Sequence, residues 1–398
     1  MPNFNDTRTT NQAVAENRLV RVPDEDMLML EPNNTPLVTF MLGMKRKKMV
    51  ESPRIEWGED DYTPQWAKVT TGVAASAGAT TITLQDNLNV VPGDILLAPQ
   101  AGAIVPEQLR VISVGSSNTI VVARNTGGTG LRVVPDGSML MILGQAYEEG
   151  STAPIAKTTV PEQRINYTQI FKRSIKLTGT QAASRQYFSG GDERRRLRQK
   201  MMEEFKIQMN RQFLFGQRSE SMSGGPNQRP IRTTGGLNSF IATNRFNAGG
   251  VLTRKFFESF ARRSFRFGNK KKVLLASSIV ISAIYEWGNS FLKLDPMEDK
   301  FGVALTKINT GHGEFALVRD WALDDGETGQ PGFSGFAFAF DPECMTYRYL
   351  KSRDTRMYLD GGQPTEDAEL DWIQAEVGMQ LRHERRHACL FGVDDYSV

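Results

Sequence analysis

Residues 192–215 read DERRRLRQKMMEEFKIQMNRQFLF. Within this stretch Leu197, Met201, Phe205, Met209 and Phe213 recur every fourth residue. At 3.6 residues per turn, that spacing lines the five side chains along one side of a helix. Asp192 stands at the N-cap, directly after the Gly190-Gly191 break, and Gly216 follows the last turn. The stretch predicts one amphipathic helix of about six turns, and its apolar stripe reads as core packing rather than a ligand site.

Upstream of this helix the chain runs extended through Ile165 to Leu177. Before that, Lys68 to Ala146 breaks into short β-branched runs: Thr80 to Leu84, Ile95 to Ala98, Leu109 to Val114, Thr119 to Ala123 and Met139 to Leu143. Gly, Pro, Asn and Ser separate them closely, which is the pattern of a small all-β module. Residues 1 to 55 are polar, punctuated by prolines and without a sustained period, so they read as an arm that cannot bury a core alone. Met27 to Leu30 and Phe40 within it, and Trp57 just beyond it, are apolar anchors suited to docking on neighbouring subunits.

Downstream lies an α/β region with a helix from Thr253 to Arg266, a strand at Val273 to Ala276 and a helix at Ser278 to Trp287. Strands near Val303 to Ile308 and Phe315 to Val318 follow. Ala375, Val377, Met379 and Leu381 alternate with polar residues, and Ala388 to Val393 is a final apolar run, so the chain is expected to end on two paired strands. The glycine pairs that begin at 224, 235, 249 and 361 read as turns needing positive φ.

With 398 residues, 39% of them hydrophobic, the chain is long enough for two or three cores. Its 48 basic and 45 acidic residues leave a net charge of +3, too balanced for a dedicated nucleic-acid binder. Cys344 and Cys389 are far apart and outside any CxxC pair, which suits a reducing cytoplasm and neither a disulfide framework nor a zinc knuckle. The first residues lack the basic start and apolar core of a secretory signal. The longest apolar run, Val273 to Ile284, includes three serines and falls short of the ~20 residues of a bilayer span.

The sharpest chemical motif is His383-Glu384-Arg385-Arg386-His387, which spells H-E-x-x-H. On a helix this spacing presents two imidazoles to zinc, with the glutamate as general base. Two arginines between the ligands oppose a divalent ion, and the flanks alternate like strands. The remaining residues offer only Asp394 and Asp395 as a third ligand. The motif is therefore expected to be a charged turn between strands. His312 sits in a Gly-His-Gly turn, and no phosphate-binding glycine motif or nucleophile elbow is present. No enzymatic activity, cofactor or metal site is expected.

Charge is uneven. Arg164 to Phe215 carries 12 basic and 4 acidic residues, including Arg194, Arg195, Arg196 and Arg198; Arg254 to Lys272 carries 8 and 1. Both patches suit phosphate contacts or pairing with the acidic arm, whose residues 1–44 hold 3 basic and 6 acidic residues. The near-balanced global charge favours pairing between subunits, which sets register more than affinity.

The order of these elements resembles the tailed-bacteriophage major capsid family with the Hong Kong ninety-seven fold. Gly144-Gln145-Ala146-Tyr147-Glu148-Glu149-Gly150-Ser151, Tyr167-Thr168-Gln169-Ile170-Phe171, Leu177-Thr178-Gly179-Thr180 and Thr233-Thr234-Gly235-Gly236-Leu237 with Phe240-Ile241 carry a closer resemblance to a subfamily with a β insertion in its extended loop. The resemblance implies an α+β fold. Its parts would be an N-terminal arm (1–55), an extended loop (56–180) with an all-β insertion (68–146), a peripheral domain with the spine helix (181–230), an α/β axial domain (231–345) and a return to the peripheral domain (346–398). The histidine- and arginine-rich turn between the last strands departs from the family pattern.

It further implies a virion shell protein, assembled in the host cytoplasm, that forms hexamers and pentamers around packaged double-stranded DNA without reading its sequence. Portal, separate scaffolding and decoration proteins are its implied partners, and no membrane is. The candidate inter-subunit contacts are Arg194, Arg195, Arg196, Arg198, Trp57, Tyr62, Trp66 and Tyr167. A nanocompartment shell of the same fold, a DNA-binding protein and a zinc hydrolase are the competing readings.

Overall fold

The computed structural model describes residues 35–43, 46–74, 76, 78–87, 89–99, 106–153, 158–183, 193–291, 294–296, 306–324, 333, 335–359, 361 and 367–396. Met27 to Leu30, the Gly190-Gly191 break, the Asp192 cap and residues 303–305 of an expected strand lie outside them. Gly58–Gln163 forms one compact unit and the rest of the chain a second.

In chain order the described elements begin with α1 (Pro36–Gly43), β1 (Lys47–Val50) and β2 (Arg54–Glu59). Next come β3 (Trp66–Thr71), β4 (Thr81–Leu84), β5 (Asp94–Ala98), β6 (Glu107–Val114), β7 (Thr119–Ala123) and β8 (Met139–Gln145). β9 (Glu162–Tyr167), β10 (Gln169–Thr178) and α2 (Gly179–Ala183) precede the long α3 (Glu193–Phe215). Then follow β11 (Ser219–Ser221), β12 (Ile231–Thr233), α4 (Leu237–Phe240), β13 (Arg245–Leu252), α5 (Arg254–Ser264), β14 (Lys271–Ala276) and α6 (Ser278–Phe291). The last are β15 (Leu294–Pro296), β16 (Thr306–Thr310), β17 (Gly313–Arg319), β18 (Ala337–Phe340), β19 (Met345–Leu350), β20 (Arg356–Tyr358), β21 (Ala368–Leu381) and β22 (Ala388–Tyr396).

The smaller unit is a closed six-stranded barrel in the order β3-β4-β7-β6-β5-β8. Alternate residues point inward, so that Val69, Ile82, Leu84, Leu96, Val122 and Leu140 fill the interior. The strand that the sequence reading omitted, β3, closes the barrel by pairing with both β4 and β8. At one end Arg124 and Glu107 form a salt bridge with side chains only 3% and 0% exposed. The guanidinium is bidentate, with contacts of 2.8 and 2.7 Å. It also donates to the carbonyls of Ala74, Ala79 and Arg132. Glu107 in turn accepts the backbone N–H groups of Asn125 and Arg132 at 3.1 and 2.7 Å. Burial alone would raise the Glu107 pKa, but the Arg124 and backbone hydrogen bonds outweigh it and hold the carboxyl below its ordinary value.

The larger unit holds two large sheets and the short β11-β12 hairpin. One follows the path β1-β19-β21-β10, with β20 also on β21; the other runs β13-β22-β18-β14-β17-β16-β15. The stripe of α3 packs as its spacing predicts from Met201 onward, while Leu197 in its first turns is only partly buried. Met201, Phe205, Met209 and Phe213 are buried in one core with Phe171, Tyr347 and Val377 of the first sheet. Phe171 meets Phe205 edge-on at 6.3 Å, and Phe213 meets Tyr347 at 6.2 Å.

Three expectations are corrected. Residues 36–43 and 46–50, read as part of an arm without helical or strand period, fold on their own chain. Pro36 opens α1, where its missing N–H is no loss. Leu37, Val38, Phe40 and Met41 join the core of α3, the Val38 N–H donates to Asn210 Oδ1 at 3.4 Å, and β1 pairs in parallel with β19. A distant partner surface, rather than local periodicity, decides this segment.

Second, the last two strands are not paired. β21 lies between β10 and β19, whereas β22 crosses to the other sheet and pairs with β13 and β18. The span 346–398 therefore divides at the turn between them. Third, among the described residues of these glycine pairs, which exclude Gly362, only Gly249 and Gly250 have positive φ, and they form a bulge inside β13 rather than a turn. Gly236 is instead a close approach: a Cβ there would sit 2.6 Å from the Phe213 carbonyl oxygen at the end of α3.

Candidate subunit-interaction site

The four arginines project from the first turns of α3. Arg194 forks onto Asp371 of β21 at 2.8 and 2.6 Å and reaches Glu369 at 2.6 Å, while Arg198 donates to Asp371 at 2.7 Å. Asp371 is 1% exposed, so it brings two cations down onto the sheet beneath the helix. Arg196 bonds Glu193 one turn earlier at 2.8 Å, and that hydrogen bond holds the Glu193 carboxyl below its ordinary pKa. Arg173 pairs with Glu204. Arg173, Arg194, Arg196 and Arg198 are thus neutralised within the subunit, and Arg195 is the member of the arginine run that is exposed.

The aromatic candidates divide as well. Trp57 is only 6% exposed and packs on Phe240 with ring centroids 5.9 Å apart. It is buried in its own chain rather than offered to a neighbour as the sequence reading has it. Tyr167 is half-buried, and the hydrogen bond from its hydroxyl to Glu220 raises its pKa, while Arg232 at 2.7 Å holds Glu220 low. Tyr62 is 98% exposed and Trp66 41%, both on the barrel unit. The sequence reading missed their exposed apolar company on that unit, Ile112, Val133, Met139 and Leu143. The run Met139 to Leu143 looks uniformly buried in sequence, but a strand of a small barrel turns alternate side chains outward.

A family model for the SU10 major capsid protein matches residues 5–394. The chain belongs to this family. The major capsid protein of Pseudomonas phage PaMx41 is 24% identical over 326 residues, 78% of this chain and 75% of that one. Among solved structures, the capsid of a native GTA particle is 10% identical with a TM-score of 0.48, covering 96% of this chain and 99% of that one. A chain of Microbacterium phage Oxtober96 is 11% identical with a TM-score of 0.45, covering 98% of this chain and 99% of that one.

In this capsid protein the H-E-x-x-H residues form a structural turn. His383 is left-handed at φ 53°, and Glu384–Arg386 make a single 3-10 turn, so the imidazoles do not share a helix face. Glu384 accepts the Ala242 N–H at 2.9 Å and the Thr243 hydroxyl, and Asn244 donates to the carbonyls of Arg385 and His387. Those bonds steer the chain toward β13 and hence into the second sheet. His387 is fully buried; its Nδ1 accepts the Asp341 N–H at 3.3 Å and its Nε2 lies 3.1 Å from the Arg382 carbonyl oxygen. A carbonyl only accepts, so Nε2 carries the proton and the neutral ring satisfies both neighbours.

Burial pushes the His387 pKa down to about 4 from its ordinary 6.5. Between those values the unfolded chain binds the extra proton, so this contribution to stability is complete above pH 6.5 and is lost as pH falls toward 4, on the order of 3 kcal/mol. Asp320, which accepts from the Asn210 amide with both carboxylate oxygens and from the Ala322 N–H at 2.9 Å, has its pKa raised by burial to about 6 and acts in the opposite sense between 3.8 and 6. The expected result is therefore a difference: His387→Gln should show a smaller loss of urea stability between pH 7 and pH 4.5 than its parent. Parallel pH profiles would refute the assignment.

Proposed function

We propose that the chain is the shell-building major capsid subunit of a tailed, double-stranded DNA bacteriophage. It assembles with copies of itself into hexamers and pentamers and has no catalytic chemistry of its own. The observation that carries this reading is the family match, which runs across residues 5–394. Portal, scaffolding and decoration proteins are its further proposed partners, and the host cytoplasm its place of assembly. Of the eight candidate contacts, Tyr62, Trp66 and Arg195 present exposed side chains for a neighbour, and Tyr167 presents part of one. Arg194 and Arg198 act through Asp371 to seat the helix that displays them.

Electron microscopy of the purified protein tests the reading. Closed shells are expected, and native particles should contain phage DNA, which separates a virus head from a nanocompartment. Replacing Tyr62 and Trp66 together by Ala should reduce closed shells while the free subunit stays soluble, because truncating exposed side chains usually changes stability by no more than about 0.5 kcal/mol. Purified protein that remains monomeric under all assembly conditions would overturn the proposal.

A further inference from the structure

The second basic patch differs from the arginine run of α3 at the end of α5, where three arginines have no carboxylate of the described residues beside them. α5 buries Phe257, Phe260, Ala261 and Ser264, which turns Arg262 and Arg263 outward at its last turn. Together with Phe265, Arg266 and His312, they line a concavity of about 440 Å³. Among the described residues, no carboxylate lies within salt-bridge distance of Arg262, Arg263 or Arg266. Two of the guanidiniums rest on aromatic rings instead, Arg263 over Phe246 at 5.7 Å and Arg266 over Phe267 at 5.4 Å. A stacked guanidinium is held in place with its N–H edge free to fork onto an oxyanion. Three like charges around one hollow repel one another unless an anion occupies it.

We infer that this face of α5 and the loop after it is a binding site for the phosphate backbone of nucleic acid. The inference rests on the capsid reading and names where the subunit meets the enclosed polyanion. Charge decides between this ligand and the acidic arm of a second copy. Residues 254–271 carry seven basic residues and one acidic one, whereas residues 1–44 offer a net charge of only −3 spread along their whole length. Duplex DNA presents about one negative charge per 1.7 Å of axis. It is therefore the denser partner and makes no demand on sequence, as three guanidiniums without a base-reading element require.

Fluorescence anisotropy with a 20-base-pair duplex of arbitrary sequence, titrated with the full-length subunit from 50 to 200 mM salt, tests the site. Each phosphate contact contributes about 0.9 to the slope of log affinity against log salt, so losing three lowers the slope by about 2.7. Over that salt range the parent should lose about forty-fold more affinity than the variant carrying Arg262→Gln, Arg263→Gln and Arg266→Gln. The corresponding triple Lys variant should keep the parent's slope. A Gln variant with the parent's slope, or a parent that does not bind the duplex at 50 mM salt, overturns the inference. A variant that binds DNA normally but cannot close shells also overturns it and gives the patch to a neighbouring subunit. Shell closure by the parent, scored on the same preparation, reports on the capsid reading independently of every DNA outcome.

Discussion

Arg124→Ala is expected to destabilise the barrel unit by about 3–5 kcal/mol, the usual consequence of removing one partner from a buried ion pair. Glu107 has no exposed surface and would be left with two backbone N–H donors and no counter-charge. The carbonyls of Ala74, Ala79 and Arg132 would lose their donor at the same time. Hydrogen exchange followed by mass spectrometry reads the effect. Peptides across β6, β7 and β8 should lose protection, and peptides across α3 should keep it. Because the folded Glu107 carboxyl titrates below its ordinary value, its contribution is present above the unfolded pKa and is lost as pH falls through the folded one. Replacing the pair together, Glu107→Leu with Arg124→Met, should recover much of the loss, since a packed apolar pair often equals a buried ionic one. Equal loss of protection in both units would show that the salt bridge is not what holds this barrel.

Elements with a strong local period were legible in the sequence, and elements that depend on a distant partner were not. The stripe Met201, Phe205, Met209 and Phe213 declares α3 because four successive turns repeat it. Five of the six barrel strands declare themselves through β-branched runs between turn residues, and β3 does not. By contrast, α1 is apolar on nearly every side, and its helical state becomes favourable only against α3, which begins about 150 residues later. β18 is four residues long and buried throughout, so it lacks the alternation that marks a strand with one wet face. β22 was recognised as a strand, but an apolar run specifies burial and not which sheet supplies it. The same limit applies to the site. The arginines of α3 are visible as charge, but their neutralisation by Asp371 is not, because that carboxylate is 177 residues from Arg194 in the sequence. Nor does a lone Trp57 announce that Phe240 will cover it.

Two substitutions on α3 separate folding from assembly. Phe205 is fully buried and meets Phe171 edge-on, so Phe205→Ala opens a cavity that the surrounding sheet can close only in part. Such truncations cost about 3–5 kcal/mol, a large share of the roughly 5–15 kcal/mol that holds a domain folded. The expected result is a sharp fall in soluble subunit and, in consequence, no shells. Arg195 stands on the exposed side of the same helix, and Arg195→Ala should change stability by no more than about 0.5 kcal/mol. Soluble yield and thermal unfolding should then match the parent, while the yield of closed shells falls if this arginine pairs with a neighbour. Arg194→Ala should lie between the two, because it removes a fork from buried Asp371 but leaves Arg198 bound there. Soluble yield, unfolding midpoint and shell count by microscopy distinguish the three variants. Equal loss of solubility for Phe205→Ala and Arg195→Ala would contradict the assignment of faces. Parent-level shell yield from soluble Arg195→Ala would remove Arg195 from the subunit contact and leave the barrel's Tyr62 and Trp66 to carry it.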